Sequence, residues 1–472
     1  MLIIQVLMLG VLMTMTALAV DVGSFYSRAA EVQKASDAAA LAAVVWMPDD
    51  FTTATSAARD AAGRNGFTHG TNGITVVVST VAGNPRQVRA TITDPSVPTI
   101  FGRMITNSIS ITRDSVAEYV LAVPLGSPNS TFGNQSVGAS APNFWAAVNG
   151  YSTGKSQGDP FATRCGAAST TCSGINPDYR PSGYLYGVEV PAGSAGRSLT
   201  VEIFDSIFVN RGLGTETSDA IMGGSVMLPL QYELYEADAT PLDNADNPTL
   251  SGRCSTGPGR LIFDTSNTSG EISTYKNQWT TLCTFNVTRT GVYPLRVKSS
   301  GISGQPDQGN ATAQYSVRSS LSGGGAQPRV YGLGDMSIFT GNTGTSAFYL
   351  AEVPAMHAGK TFEVELFDPG DGSSGTYKLS IVKPDGSVAA CRYTNSSGTF
   401  GASGTCTITT RNSSSGSVYD GKWLTIRVDL GATYTCGTDC WWKVSYDFGG
   451  GTPTDRTTWR ANILGDPVHL VE

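Results

Sequence analysis

The chain has 472 residues, 40% of them hydrophobic and 15% charged, with 31 basic against 38 acidic residues and a net charge of −7. That length points to roughly two to four domains, and the charged content lies below the roughly 25% of ordinary soluble domains. No basic run is present, which argues against nucleic acid as a partner, because phosphate binding needs clustered Lys and Arg.

Residues 1–20 carry no charge. As a helix they would extend about 30 Å, the thickness of a bilayer core. Their apolar residues lie all round rather than along a stripe, which suits lipid or a helical bundle. The first basic residue is Arg28, so the positive start that a secretory signal needs is missing. Helical sequence then continues. Residues 29–43 hold eight alanines and Ser36, ending at Pro48. Alanine is the best helix former and permits close helix approach. One helix of roughly 45 residues would be about 70 Å long, far more than an anchor requires. The side chains expected to make it an assembly element are Met1, Leu2, Ile3, Ile4, Gln5, Val6, Leu7, Leu9, Val11, Leu12, Leu18 and Val20.

The stretch "ALAVDVGSFYSRAAEVQKASDAAALAA" resembles the N-terminal segment of TadE/TadG-like proteins of the Tad (Flp) branch of type IV pilus systems, and "NFWAAVNGYSTGKSQGD" (143–159) and "YGLGDMSIF" (331–339) resemble, more loosely, the C-terminal region of such proteins of the actinobacterial type. The resemblance implies a pilin-like surface protein. It also implies removal of a basic leader, with Met1 then the first residue of a processed chain. Two features depart from that pattern. Pilins of the wider class carry Glu at mature position five, where this chain has Gln5, which accepts a hydrogen bond but cannot neutralise an amine. The Asp-x-Ser-x-Ser signature of a von Willebrand A-type domain is also absent.

Residues 52–65 read as a second helix with Gly66 as its stop. Residues 74–81, 86–93 and 109–123 read as strands, with a short helical turn over 100–105. Residues 124–142, rich in Pro, Gly, Ser and Asn, read as a linker.

Beyond it the chain repeats itself. "YGVEVPAGSAGRSLTVEIFD" (186–205) matches "YLAEVPAMHAGKTFEVELFD" (349–368) at eleven of twenty positions. Tyr275 and Trp279 recur as Tyr419 and Trp423. Two copies suggest a duplicated globular domain, and short strands between turn signals suggest β-sandwiches of the Ig-like or jelly-roll sort. The fold class is thus α+β: a helix over 1–47, a small α+β head over 48–123, a linker over 124–142, and sandwiches over 143–325 and 326–472.

The eight cysteines form neighbouring pairs: Cys165 and Cys172, Cys254 and Cys283, Cys391 and Cys406, Cys436 and Cys440, at separations of 7, 29, 15 and 4. No CxxC occurs, so four local disulfides made outside the cytoplasm are expected rather than zinc. Spacing alone does not fix the connectivity.

Candidate chemistry is sparse. His69, His357 and His469 lie far apart, and no nucleophile-elbow motif accompanies them. The chain is therefore expected not to be an enzyme. "FDPGDGSSG" places Asp368 and Asp371 in a Gly-rich turn. Such a turn could hold calcium, although a plain β-turn is the simpler reading and no cofactor is otherwise expected. Adjacent Trp441 and Trp442 should face opposite sides of a strand, leaving one ring for a sugar, while Trp279 and Trp423 belong in a core. Seven Asn-x-Ser/Thr sequons are present.

The expected function is that of a structural, pilin-like subunit of an extracellular surface filament. It would be held in a membrane before assembly and would self-associate through its N-terminal helix into a homo-oligomer, displaying its sandwiches. The alternative is a membrane-anchored adhesin, a module that binds a surface glycan or a host or cell partner protein.

Overall fold

The computed structural model describes residues 2–46, 51–81, 84–104, 106–119, 123–134, 144–149, 155–165, 172–205, 220–221, 230–237, 248–263, 275, 278–299, 311–341, 344–437, 439–464 and 468–471. The chain forms two compact units. The first comprises residues 1–121 with 466–472, and the second residues 122–465.

In the first unit, helix α1 (Leu2–Val44) runs without a break through Asp21 and Gly23. Its second half buries Val32, Ala35, Ser36, Ala39, Ala40, Ala43 and Val44. Those positions follow the i, i+3, i+4 spacing of one helical face. Helix α2 (Phe51–Arg64) adds Ala54, Ala58 and Ala62 to the same core. It ends as Gly66 predicts. Gly66 adopts φ +89°, its N–H donates to Gly63, and the N–H of Phe67 donates to Ala62. That pattern is a Schellman motif, with Phe67 buried over the helix end.

Strands β1 (Thr75–Val81), β2 (Asn84–Pro98) and β3 (Ser108–Tyr119) form an antiparallel sheet in that order. A C-terminal strand, Val468–Val471, completes it by pairing with β3, Val468 standing opposite Tyr119. Val76, Val88, Ala90, Ile92 and Ala117 face the helices. The small alanines of α1 let it lie close on this sheet. The last residues of the chain thus belong to the head, and not to the second sandwich as expected from sequence.

The second unit is all-β among its described elements, apart from short turns. Two five-stranded sheets stand alongside one twelve-stranded sheet. In the first copy, Tyr184–Val190 pairs with Gly291–Ser299, which pairs with Leu230–Leu234. In the second, Thr345–Glu352, Trp441–Asp447 and Tyr377–Val382 repeat that order. The twelve-stranded sheet joins the copies. Phe204 and Phe367 hold equivalent places in the repeat; Ser316 stands opposite the first and Thr458 opposite the second. One residue earlier, Tyr315 stands opposite Ala146 and Thr457 opposite Ile338. Ala146 and Ile338 are themselves paired across antiparallel strands Trp145–Asn149 and Asp335–Thr340. Equivalent residues face each other there, so the two sandwiches meet about a local two-fold axis, as subunits of a symmetric dimer would.

One apolar core runs through both copies, with Phe144 of the first packed edge-on against Phe348 of the second at 5.8 Å. The described part of the expected linker belongs to that core. Leu125 bridges to Gly332 and to Ala351, Thr131–Phe132 pairs with residues 317–318, and Phe132 is fully buried. Pro124 and Gly126 take part in the pairing themselves, Pro124 accepting the N–H of Glu352 and Gly126 donating to Leu350. Residues 135–142 lie outside the described residues.

Candidate functional site

Helix α1 changes character at Asp21. N-terminal to it, Ile4, Met8, Leu9, Leu12, Met13, Met15 and Leu18 are each 55–67% exposed. Gln5 is exposed as well, and Val20 is 42% exposed. The side chains of Met1, Leu2, Ile3, Val6, Leu7 and Val11 lie outside the described residues. An apolar run this exposed is unusual for a protein standing alone in water, and marks a surface made to be covered. A groove of about 620 Å³ runs along Leu12, Met13, Thr16, Ala17 and Val20, with Phe101 of the head at its side. Among the described residues no helix is long and apolar enough to cross a membrane.

Asp21 fastens the helix to the head. One carboxylate oxygen accepts the N–H of Ile100 at 2.8 Å and the other that of Gly102 at 2.6 Å, while the N–H of Phe101 reaches both. These are the free donors at the start of the short helical turn Gly102–Met104, where a carboxylate is favoured. Burial acts to raise this carboxyl, but the three backbone donors outweigh it and hold the group below the usual 3.8. A side chain at position 102 would crowd the site, since a Cβ there would sit 3.1 Å from Asp21 Oδ2.

Further contacts follow along the docked half. Arg28 donates through Nε and Nη2 to Asp94 at 2.9 and 2.7 Å, and its guanidinium lies 4.4 Å from the centre of the Phe67 ring. The Ser36 hydroxyl donates to the Ala90 carbonyl at 2.7 Å, a buried bond made possible by a small side chain against β2. Gln33 donates to Asp37 and Ser115, and Ser115 to Asp37. Sequence reading missed the bonds of Asp21, Arg28 and Ser36 to the head and that of Gln33 to Ser115, because those partners lie 54 to 82 residues away. One signal was available: Asp21 is the first charge after twenty uncharged residues.

The remaining expected residues lie elsewhere. All eight cysteines are joined as neighbouring pairs, Cys165–Cys172, Cys254–Cys283, Cys391–Cys406 and Cys436–Cys440. Trp441 and Trp442 do face opposite sides of their strand, but both sides are packed and the rings are 3% and 1% exposed. Trp442 lies on Phe362 and donates to the Tyr434 hydroxyl at 3.0 Å; Trp441 meets Tyr349 edge-on. Neither offers a ring to a sugar. Trp279 and Trp423, expected in the core, are half-buried: Trp279 packs against the buried cluster of Trp145, Ala147, Phe204 and Phe339, Trp423 meets Phe367 edge-on, and Arg318 and Arg460 lie over the two rings at 4.2 and 4.9 Å. Asp368 is fully buried and Asp371 half-buried. Among the described residues no three His, Cys, Asp or Glu side chains form a ready-made metal-holding group. His69 is occupied in accepting the Val76 N–H at 3.0 Å.

Among curated proteins, none matches the chain. Among solved structures, that of the Macrobrachium rosenbergii nodavirus aligns at 8% identity over 74% of this chain and 90% of that one. Its TM-score of 0.13 gives the likeness no weight. The informative match falls on the helix just described: residues 2–62 fit the family model "Putative Flp pilus-assembly TadE/G-like", which identifies the N-terminal segment as TadE/G-like.

Proposed function

We propose that this chain is a structural, non-enzymatic subunit of an extracellular Flp-type surface filament, in which the free half of α1 packs against the same segment of other copies. The observation that carries the reading is the division of one continuous helix. The described apolar side chains before Asp21 are exposed, while the face behind it is fixed to a folded head by buried alanines and by Asp21. An all-round apolar rod on a rigid base suits a helical bundle, whose contacts extend into a filament when they do not close on themselves. The same surface suits lipid before assembly, so membrane residence at that stage belongs to the proposal. The family match over residues 2–62 supports a pilus-related role at the cell surface. The sandwiches would be displayed outside.

Electron microscopy of sheared surface material, with immunogold against the second unit, tests this. Labelled filaments are expected in wild-type cells and none with Leu12→Asp. Discrete membrane-bound particles in the wild type would instead favour an anchored adhesin.

A further inference from the structure

We propose that the loop cluster of Asp368, Asp371 and Asp455 in the second sandwich binds a calcium ion. Asp368 closes strand Thr361–Phe367 at a φ of 59°, in the left-handed region, and turns its carboxylate inward. Its Oδ1 accepts the N–H of Gly421 at 2.8 Å, whereas Oδ2 is buried and has no hydrogen-bond partner in the protein. Asp455 repeats this arrangement. Its Oδ1 accepts the N–H groups of Gly370 and Asp371 at 3.0 and 3.2 Å and the Thr457 hydroxyl at 3.2 Å, while its Oδ2 is buried and unpartnered. Thr410 adds a third orphan oxygen. Its Oγ1 is buried without a partner, and its backbone lies so close to Gly370 that a Cβ there would fall 2.6 Å from the Thr410 carbonyl. Asp371 is half-buried beside them in the chain.

Buried unpartnered oxygens are costly and rare enough to need an explanation. Four carboxylates, Asp368, Asp371, Asp420 and Asp455, interact here with two guanidiniums, Arg411 and Arg456, so that the fully ionised cluster would carry two negative charges in excess. That excess matches a divalent cation. Carboxylates alone do not complete a ready metal group, and calcium is the ion that fills its shell of roughly six to eight oxygens with hydroxyl, carbonyl and water ligands.

The first copy serves as an internal control. By strand register and repeat offset, it keeps Asp205 at the place of Asp368, but has Ala313 for Asp455, Gln314 for Arg456 and Lys276 for Asp420. The sandwich is therefore built without the acid cluster, so the fold does not require it.

Calcium chloride titrated into the metal-stripped full-length chain by calorimetry tests the proposal. One saturable site is expected, with a Kd of about 1 mM or tighter, as in extracellular modules. A melting temperature higher in calcium than in EDTA should accompany it. Asp371→Asn, which alters only the half-exposed member, should weaken binding at least about ten-fold, the effect of removing one charged ligand. Asp205→Asn in the first copy should leave it unchanged. Absence of both binding heat and thermal shift in the wild-type chain up to about 10 mM calcium, or equal affinity in Asp371→Asn, overturns the proposal. Neither result bears on filament formation, so failure here is distinguishable from failure of the proposed function.

Discussion

The two halves of α1 are one continuous helix built for opposite surroundings. Residues 2–20 use large, flexible side chains, Leu, Met and Ile, and leave those described to solvent. Residues 21–44 use alanine, serine and valine and bury a full face. Large side chains gain most from being covered by a partner not yet present, at roughly 25 cal/mol per Å² of apolar surface. Small ones gain by letting backbone approach a sheet already in place. The junction falls at Asp21, where a single carboxylate takes three backbone donors.

Substitutions on the two sides should therefore fail in different ways. The largest effect is expected from Leu12→Asp, which puts a charge on the groove face. Filaments should vanish by electron microscopy, while the thermal melt of the purified protein stays unchanged, because Leu12 touches little of the head. The reverse outcome is expected of Ala39→Leu. Three added carbons where Ala39 is fully buried should destabilise the first unit by about 1–3 kcal/mol, read from denaturant unfolding. If Leu12→Asp lowered stability as much as Ala39→Leu, the division of the helix would be wrong.

Asp21→Asn sharpens the junction itself. Asparagine keeps one acceptor but presents an NH₂ group to backbone donors, so the melting temperature of the first unit should fall by several degrees. The pH dependence has a definite sign. The folded-state pKa of Asp21 lies below its unfolded value of about 3.8, so its stabilisation is fully present above that pH. It is lost as the pH falls through the lower, folded value. The wild type should show that acid-induced loss, and Asp21→Asn should lack that component in a pH series of thermal melts. The smallest effect belongs to Arg89→Ala. It removes a cross-strand pair with Asp114 whose members are 44% and 45% exposed, worth at most about 1 kcal/mol. A large loss there would mean that the head relies on its surface charges rather than on its alanine core.

What the sequence disclosed follows the range of its signals. Helix continuity, the Gly66 stop, the strands of the head and the duplication were readable because propensity, turn chemistry and self-similarity are local or self-referential. The coupling of the two copies was not. It depends on two short strands, Trp145–Asn149 and Asp335–Thr340, with no periodicity of their own and both faces buried. The packing of Trp441 depends likewise on Tyr349, Tyr331 and Leu333, and on Leu185 and Val292 from the other copy. The strand Val468–Val471 was invisible for another reason: four residues carry too little pattern, and their partners lie some three hundred and fifty positions upstream.

That last strand alters what the larger unit is to the smaller one. The chain leaves the head after β3 and, 344 residues later, returns to hydrogen-bond with the same strand. The sandwiches are therefore spliced into a loop of the head rather than hung from its end. A passenger held at two points survives a single cut in its own loops. It also demands little of its host, only that exit and re-entry lie one strand spacing apart. The head with its helix is thus a generic socket, and exchanging the inserted passenger would change what the proposed filament shows to the world without altering how it is built.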